Sequence, residues 1–343
     1  MDKQLVLAVA GAGKTKLLID KLDRERRALI ITHTTNNFRN INSRIATTFG
    51  FLPHNIQVMT YFSFLYGFCF KPFLLKKTGV RGINFDRCGN IRAVGRARYI
   101  DSNQRAYANR LAKLIQESGA GAEVTARIGK YFDLVMVDEV QDFAGNDFNF
   151  LPVIASAETD ALFVGDFFQH TYDTSRDGGV RKNLHKDYGR YIAECEGIGL
   201  TVDRETLRHS YRCGPELCNY ITDSLGIAIG SHRQDTTGIS FLERESEIRE
   251  IYNDPAVIKL FYQNADGHHA CHSRNWGASK GEDHYTDVCV VLNQTSYRLY
   301  RHANLRALRP STRNKLYVAM TRCRGSLYFV EEKALRGIAP KAI

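Results

Sequence analysis

A chain of 343 residues with 43% hydrophobic and 24% charged residues has room for two ordinary domains and the composition of a globular protein, not of a disordered or fibrous one. Its formal net charge of +10 favours a polyanionic partner. No apolar stretch reaches transmembrane length, no basic-then-apolar leader opens the chain, and the eight cysteines are scattered, so a reducing, cytoplasmic setting without a membrane partner is expected.

Gln4–Val9 is a short apolar run that reads as a buried parallel strand. It leads into Ala10-Gly11-Ala12-Gly13-Lys14-Thr15-Lys16, after which Leu17–Ile19 opens a helical pattern. Strand, glycine turn and helix N-terminus together are what a triphosphate needs. Gly11 and Gly13 let backbone N–H groups close around phosphate oxygens without a Cβ in the way. Lys14 is placed to reach the β- and γ-phosphates, and the Thr15 hydroxyl to take a Mg²⁺ position. Ala8 stands where the general pattern G-x-x-x-x-G-K-[ST] has its first glycine.

Ala28–Thr32 is a second buried-strand candidate, followed by a polar turn and an amphipathic stretch from Asn37 to Phe49. Gln57–Thr60 is a third, leading into the aromatic segment Tyr61–Tyr66. From Lys76 to Lys130 the chain is basic and punctuated by glycine, as an insertion into the first domain would be. Ile91–Ile100 is expected as a strand or hairpin. The even spacing of Arg92, Arg96 and Arg98 would then put all three on one face, where phosphates could neutralise them. Gln104–Glu117 carries helical spacing. Strand patterns resume at Leu134–Val137 and Ala161–Val164, and alternation of this kind predicts an α/β fold built on a parallel sheet with crossovers. A second unit begins near Gly197–Asp203. It holds a helix candidate over Pro215–Leu225 and strands at Val288–Leu292 and Leu327–Val330.

Asp138-Glu139 follows the run Leu134–Val137 directly. A carboxylate at the end of a buried strand, expected beside the glycine-turn strand, is where Mg²⁺ is held against a triphosphate. Glu139 can take a proton from the attacking water as general base. Val164–Gln169 repeats the strand-then-polar arrangement, so Gln169 can sense the γ-phosphate from the carboxyl edge of the same sheet. His268, His269, Cys271 and His272, with Cys213 and Cys218, have metal-binding residue types but no second pair at ligand spacing. They read as a polar loop.

In order along the chain, eight segments resemble the motifs of the UvrD/Rep family of superfamily 1 helicases. They are AVAGAGKT, LIITHTTNNFRNINSRI, VMTYFSFLYGF, VMVDEVQDF, ALFVGDFFQHTYD, TLRHSYRCGPELCNYI, WGASKGEDHYTDVCVVL and LYVAMTRCRGSLYFV. That resemblance implies two RecA-like domains of P-loop NTPase type: 1–75 with 131–200 as the first, 76–130 as a small 1B-like insertion, and 201–343 as the second. It further implies an ATP- and Mg²⁺-dependent translocase or helicase moving 3′ to 5′ on single-stranded DNA, or on a duplex with a single-stranded tail. Lys14, Thr15, Asp138, Glu139 and Gln169 keep the roles argued above. Arg212 matches the arginine finger and Arg322 a second γ-phosphate arginine. Tyr211 matches the ring that stacks on adenine, and Gly281 and Asp283 fall in a nucleotide-contacting motif. Thr32, Thr34, Asn36, Thr60 and Tyr61 match positions that line the single-strand groove.

Three departures alter what is expected. No residues of an upstream adenine-reading glutamine motif are present in this sequence, so base choice is expected to be relaxed. Thr174 stands where the family has a base-stacking tryptophan, leaving Tyr172 and His170 as substitutes, and Ser175 replaces the following arginine unless Arg176 serves. The interval from Ile221 to Trp276 is too short for the large 2B insertion. Compactness of this kind also resembles the helicase-like partner in Gabija-type anti-phage systems, and implies as an alternative a nucleotide-dependent regulatory subunit acting beside a nuclease. Trp276 is expected to pack rather than to stack on a base.

Overall fold

A computed structural model of the chain describes residues 1–86, 88, 90, 92–172, 179–265 and 271–338. Thr174, Ser175, Arg176, His268 and His269 lie outside the described residues. Contacts divide the chain into two units. The first comprises Met1–Leu7, Lys14–Gly165 and Tyr172–Asp203; the second comprises Ala8–Gly13, Asp166–Thr171 and Arg204–Ile343.

Strands of the first unit are β1 (Lys3–Leu7), β2 (Ala28–Thr32), β3 (Ile56–Thr60), β4 (Gly82–Asn84), β5 (Arg105–Tyr107), β6 (Leu134–Val137), β7 (Asp160–Gly165) and β8 (Thr201–Asp203). Six of them form one parallel sheet in the order β3-β2-β6-β7-β1-β8. Leu29, Ile30, Ile31 and Val135–Val137 are fully buried, which is why these strands read as continuous apolar runs rather than alternating ones. Between β2 and β3 runs the helix Thr35–Phe49. Its N-terminus is capped by the Thr34 hydroxyl, which accepts from the Asn37 N–H, and it ends at Gly50 in the left-handed region, two devices that satisfy its terminal groups.

The sheet order corrects one expectation. The strand before Asp138 is not beside the glycine-turn strand: β7 lies between β6 and β1. Gly165 at the end of β7 makes this possible. A Cβ there would sit 2.8 Å from Val140 Cγ1, so only glycine lets the turn after Asp138 fold over the neighbouring strand.

Within the basic segment, the described residues 92–100 do not form a strand. Arg96–Tyr99 is a single helical turn, and Arg92 lies in a turn before it. Helical rotation sends Arg96 and Arg98 to different sides. Arg96 donates to the Thr78 carbonyl at 2.7 Å and also to the Gln104 side chain, while the Arg98 carbonyl accepts from Arg110. Gln104–Glu117 splits into β5, a 3₁₀ turn and the helix Leu111–Glu117. The three-residue β4 and β5 pair in parallel.

The second unit holds β9 (His209–Ser210), β10 (Gly230–Ser231), β11 (Ile239–Phe241), β12 (Ile258–Phe261), β13 (Ser273–Asn275), β14 (Val288–Leu292) and β15 (Leu327–Glu331). Its parallel sheet runs β11-β15-β14-β12-β13. The helices Pro215–Leu225 and Pro310–Met320 pack over an apolar core that includes Leu217, Ile221, Val290, Leu316 and Trp276. Trp276 is fully buried, and its indole N–H donates to the Leu260 carbonyl at 2.8 Å. Lys259 interrupts the apolar pattern of β12, yet it is buried because its ammonium donates to the Val257 and Asp254 carbonyls. Two parallel α/β sheets are the fold class that the alternation of runs and helices predicts. Among the described residues, no helix is long and apolar enough to cross a membrane.

Candidate functional site

In the first unit the candidate chemistry collects at the carboxyl ends of β2 and β6. Lys14 opens the helix Lys14–Asp20. Its ammonium stands 3.9 Å from Glu139 Oε1, and both side chains are largely buried. Thr15 follows it, partly exposed, and Lys16 turns away to pair with Asp20 at 2.7 Å. Asp138 is buried; its Oδ2 accepts from the Thr32 hydroxyl at 3.3 Å, while its Oδ1 has no partner. Burial first, and then the neighbouring Glu139 carboxylate, push the Asp138 carboxyl up to about 7. A buried carboxylate oxygen with nothing bonded to it is costly unless a cation takes it. An oxygen-seeking divalent ion such as Mg²⁺ therefore fits this carboxylate.

Glu139 is held at φ 53°, in the left-handed region that non-glycine residues rarely enter. The strain turns the chain directly after β6, so two successive acids serve two purposes, one buried and one facing Lys14. The side-chain amide of Gln141 donates to Glu139 Oε2 and so fixes the carboxylate's orientation.

In the second unit the glycine turn, the Asp166–Thr171 segment and the two arginine motifs come together. Gly11 has φ +71°, and a Cβ on it would lie 2.7 Å from Arg212 Cβ and 2.8 Å from Ser210 Oγ. Its carbonyl accepts from the Tyr211 N–H at 2.9 Å. Ala10 and Ala12 are buried in the same core, and Gly13 has φ +93°. Gln169, on the 3₁₀ turn Phe167–Gln169, is buried.

Arg212 and Arg322 are both buried, and both donate to Asp283: Arg322 at 3.2 Å, Arg212 more closely. Arg212 also donates to the Thr321 carbonyl at 3.0 Å, and Arg322 to the Val318 carbonyl at 3.2 Å. Asp283, just after Gly281 at φ +85°, is half exposed and holds two guanidiniums at once. Tyr211 is 60% exposed, and its ring is backed by His232 stacked at 4.1 Å. The ring borders a cavity of about 590 Å³ lined also by Arg233, Asp235, Thr237 and Arg324. A larger cavity of about 870 Å³ in the first unit, lined by Gly121, Thr125, Pro152 and Val153 among others, contains none of the candidate residues.

One residue that links the candidate segments escapes a reading of the sequence. Tyr317, fully buried, accepts from the Ala10 N–H at 2.9 Å and donates to Asp166 Oδ2 at 3.2 Å. It ties the glycine turn to the segment carrying Gln169. Its signal in the sequence is faint, because a tyrosine on a helix face looks like core. Tyr317→Phe removes the partner of a buried amide, and is expected to destabilise the second unit by about 1–3 kcal/mol, read as a lower denaturation midpoint at unchanged slope.

Residues expected to face nucleic acid fall into two groups. Thr34, Asn36, Tyr172 and Arg92 are exposed, and Thr60 is half exposed with its hydroxyl accepting from the Ser63 N–H at 3.2 Å. Thr32 and Tyr61, by contrast, are buried and present no surface. Thr32 ends β2 beside β6 and bonds Asp138. Tyr61 points inward from the strand end, donates to Asp147 at 3.3 Å and packs on Phe143 at 4.7 Å. Arg96 and Arg98, in one helical turn, do not share a face with each other. Among the described residues, no group of three or more His, Cys, Asp or Glu side chains could hold a metal.

No protein-family model matches the chain, and no curated protein matches it. Solved structures do. It is similar to the helicase of PRRSV, with TM-score 0.50 and 13% identity over 99% of this chain and 54% of that one. It is also similar to arterivirus nonstructural protein 10, a helicase determined in complex with DNA, with TM-score 0.51 and 14% identity over 97% of this chain and 62% of that one. At such identities the likeness is one of fold. The chain spans roughly half to three-fifths of the length of the structures it resembles.

Proposed function

We propose that the chain is a nucleoside-triphosphate-driven translocase of single-stranded nucleic acid, of the superfamily 1 helicase type. The observation that carries the proposal is the unpartnered, buried Asp138 Oδ1 next to Glu139, whose carboxylate lies 3.9 Å from the ammonium of a lysine that follows a glycine turn. The likeness of fold to two arterivirus helicases supports it, as does the net charge of +10.

Phosphoryl transfer asks a protein chiefly to position groups and to stabilise spreading charge. The turn Ala10–Thr15 offers backbone N–H groups to phosphate oxygens, and Lys14 donates to the β- and γ-oxygens. Mg²⁺, when held by Thr15 and Asp138, would neutralise charge on those same oxygens. Glu139 accepts the proton of the attacking water, with Gln141 holding it in place. Arg212 and Arg322 leave Asp283 to donate to the γ-oxygens, exchanging one charge-assisted bond for another. Tyr211 stacks on the base, Gln169 reports the γ-phosphate, and exposed Thr34, Asn36 and Thr60 take phosphates of the strand.

The test is the rate of ATP hydrolysis with and without single-stranded DNA. Strong stimulation by the strand is expected. Stimulation by a nuclease partner alone would favour the regulatory-subunit reading, and a chain that neither binds nor responds to nucleic acid would sink the translocase.

A further inference from the structure

The first unit carries a row of aromatic rings that none of these roles uses. Phe62, Tyr66 and Phe70 stand four residues apart, and the last two lie in the π-helix Phe64–Phe70. Their rings stack with centroids 6.0 Å apart and interplanar angles of 18° and 21°. Phe70 is fully buried, whereas Phe62 and Tyr66 are half-buried. Phe62, expected from the aromatic segment Tyr61–Tyr66 to pack in the core, is only half-buried. From Phe62 the row passes to Phe85, just beyond β4, at a centroid distance of 5.1 Å and a tilt of 50°. Phe85 is 73% exposed, so the row runs from the core to solvent and ends in a free ring.

Its surroundings are cationic. Lys71 Nζ stands 4.8 Å from the Tyr66 ring centroid, and from Lys71 to Ile100 the sequence has eight basic residues against one acid, Asp86. A lone exposed phenylalanine needs no explanation. An exposed ring packed at a tilt on the end of a stacked row, within a strongly basic stretch, matches a ligand that alternates π-faces with phosphates.

We infer that Phe85, backed by Phe62 and Tyr66, is a stacking platform for an unpaired base of single-stranded nucleic acid. The inference rests on the translocase reading and deepens it by placing a base contact in the basic segment. A duplex hides its base faces, so the platform selects single strands.

Two variants test it. Trp276 is the chain's one tryptophan and is fully buried, so Phe85→Trp adds a separate, exposed fluorophore. Its emission is expected to be quenched by a short oligothymidylate, bound as tightly as by the wild type. Phe85→Ala is expected to weaken oligothymidylate binding by about tenfold and to leave binding of an abasic oligomer of equal length unchanged. Wild-type affinity of Phe85→Ala for oligothymidylate, or a Phe85→Trp emission unaltered while the oligomer is bound, would overturn the platform and leave the translocase reading intact. A wild-type chain that binds no oligomer would remove both.

Discussion

Replacing Arg212 or Arg322 with alanine is expected to slow hydrolysis by about a hundredfold or more while nucleotide affinity changes little. In a loose phosphoryl-transfer transition state charge spreads over the γ-oxygens, and loss of one preorganised donor costs about 2.7–4 kcal/mol. A donor that acts only in the transition state lowers kcat and kcat/KM together. The structure makes the test clean on its other side. Both guanidiniums end on Asp283, which is half exposed, so removing either leaves a carboxylate that water and the remaining arginine can satisfy. Arg212→Lys refines the experiment: it keeps a charge but loses the fork that reaches Asp283 and the Thr321 carbonyl together. Single-turnover rates near wild type in either alanine variant would remove that arginine from the reaction.

The second large effect is expected at the paired acids. Glu139→Gln keeps the size of the side chain but cannot accept a proton, and should slow hydrolysis by about 10²–10⁴-fold with nucleotide still bound. A near-wild-type rate would take the general base away from this position. Asp138→Asn should abolish Mg²⁺-dependent hydrolysis and at the same time stabilise the metal-free protein above neutral pH. The sign follows from burial. The folded carboxyl is pushed up to about 7, above its unfolded value, so the folded state prefers the protonated form. Stability from this group is present below the unfolded value and is lost as pH rises towards 7. Asparagine has no proton to lose. Thermal midpoints of the two proteins in chelator should therefore agree at acid pH, separate as pH rises to about 7, and stay apart above it, the variant higher. Equal midpoints across that range would show that the carboxylate carries no desolvation cost.

What lay in the sequence by itself was whatever neighbouring residues decide among themselves. The apolar runs Ala28–Thr32 and Leu134–Val137 are strands because both their faces are buried. The glycines before Lys14 permit a turn that a Cβ forbids, and Asp138-Glu139 follows its apolar run directly. Helix Pro215–Leu225 was legible from its opening proline and apolar spacing. These are short-range constraints, and they sufficed for the α/β class.

Tertiary structure decided which of those residues face outward and what they touch. Thr32 and Thr34 are two residues apart in one motif, yet Thr32 is drawn inside by Asp138, more than a hundred residues later, while Thr34 caps a helix at the surface. Tyr61 and Phe62 are adjacent aromatics; the turn at the end of β3 sends the first to Asp147 and leaves the second to stack towards Phe85. Even spacing put Arg92, Arg96 and Arg98 on one face only if the backbone was extended, and a bond from Arg96 to the Thr78 carbonyl holds it in a helical turn instead. Two arginines read as separate fingers meet on Asp283, and Tyr317 links Ala10 to Asp166. Periodicity records whether a side chain is apolar, but a hydroxyl, a ring or a guanidinium costs little exposed and little when buried with a partner. Its place is set by whether that partner arrives, and the partner comes from a distant part of the chain.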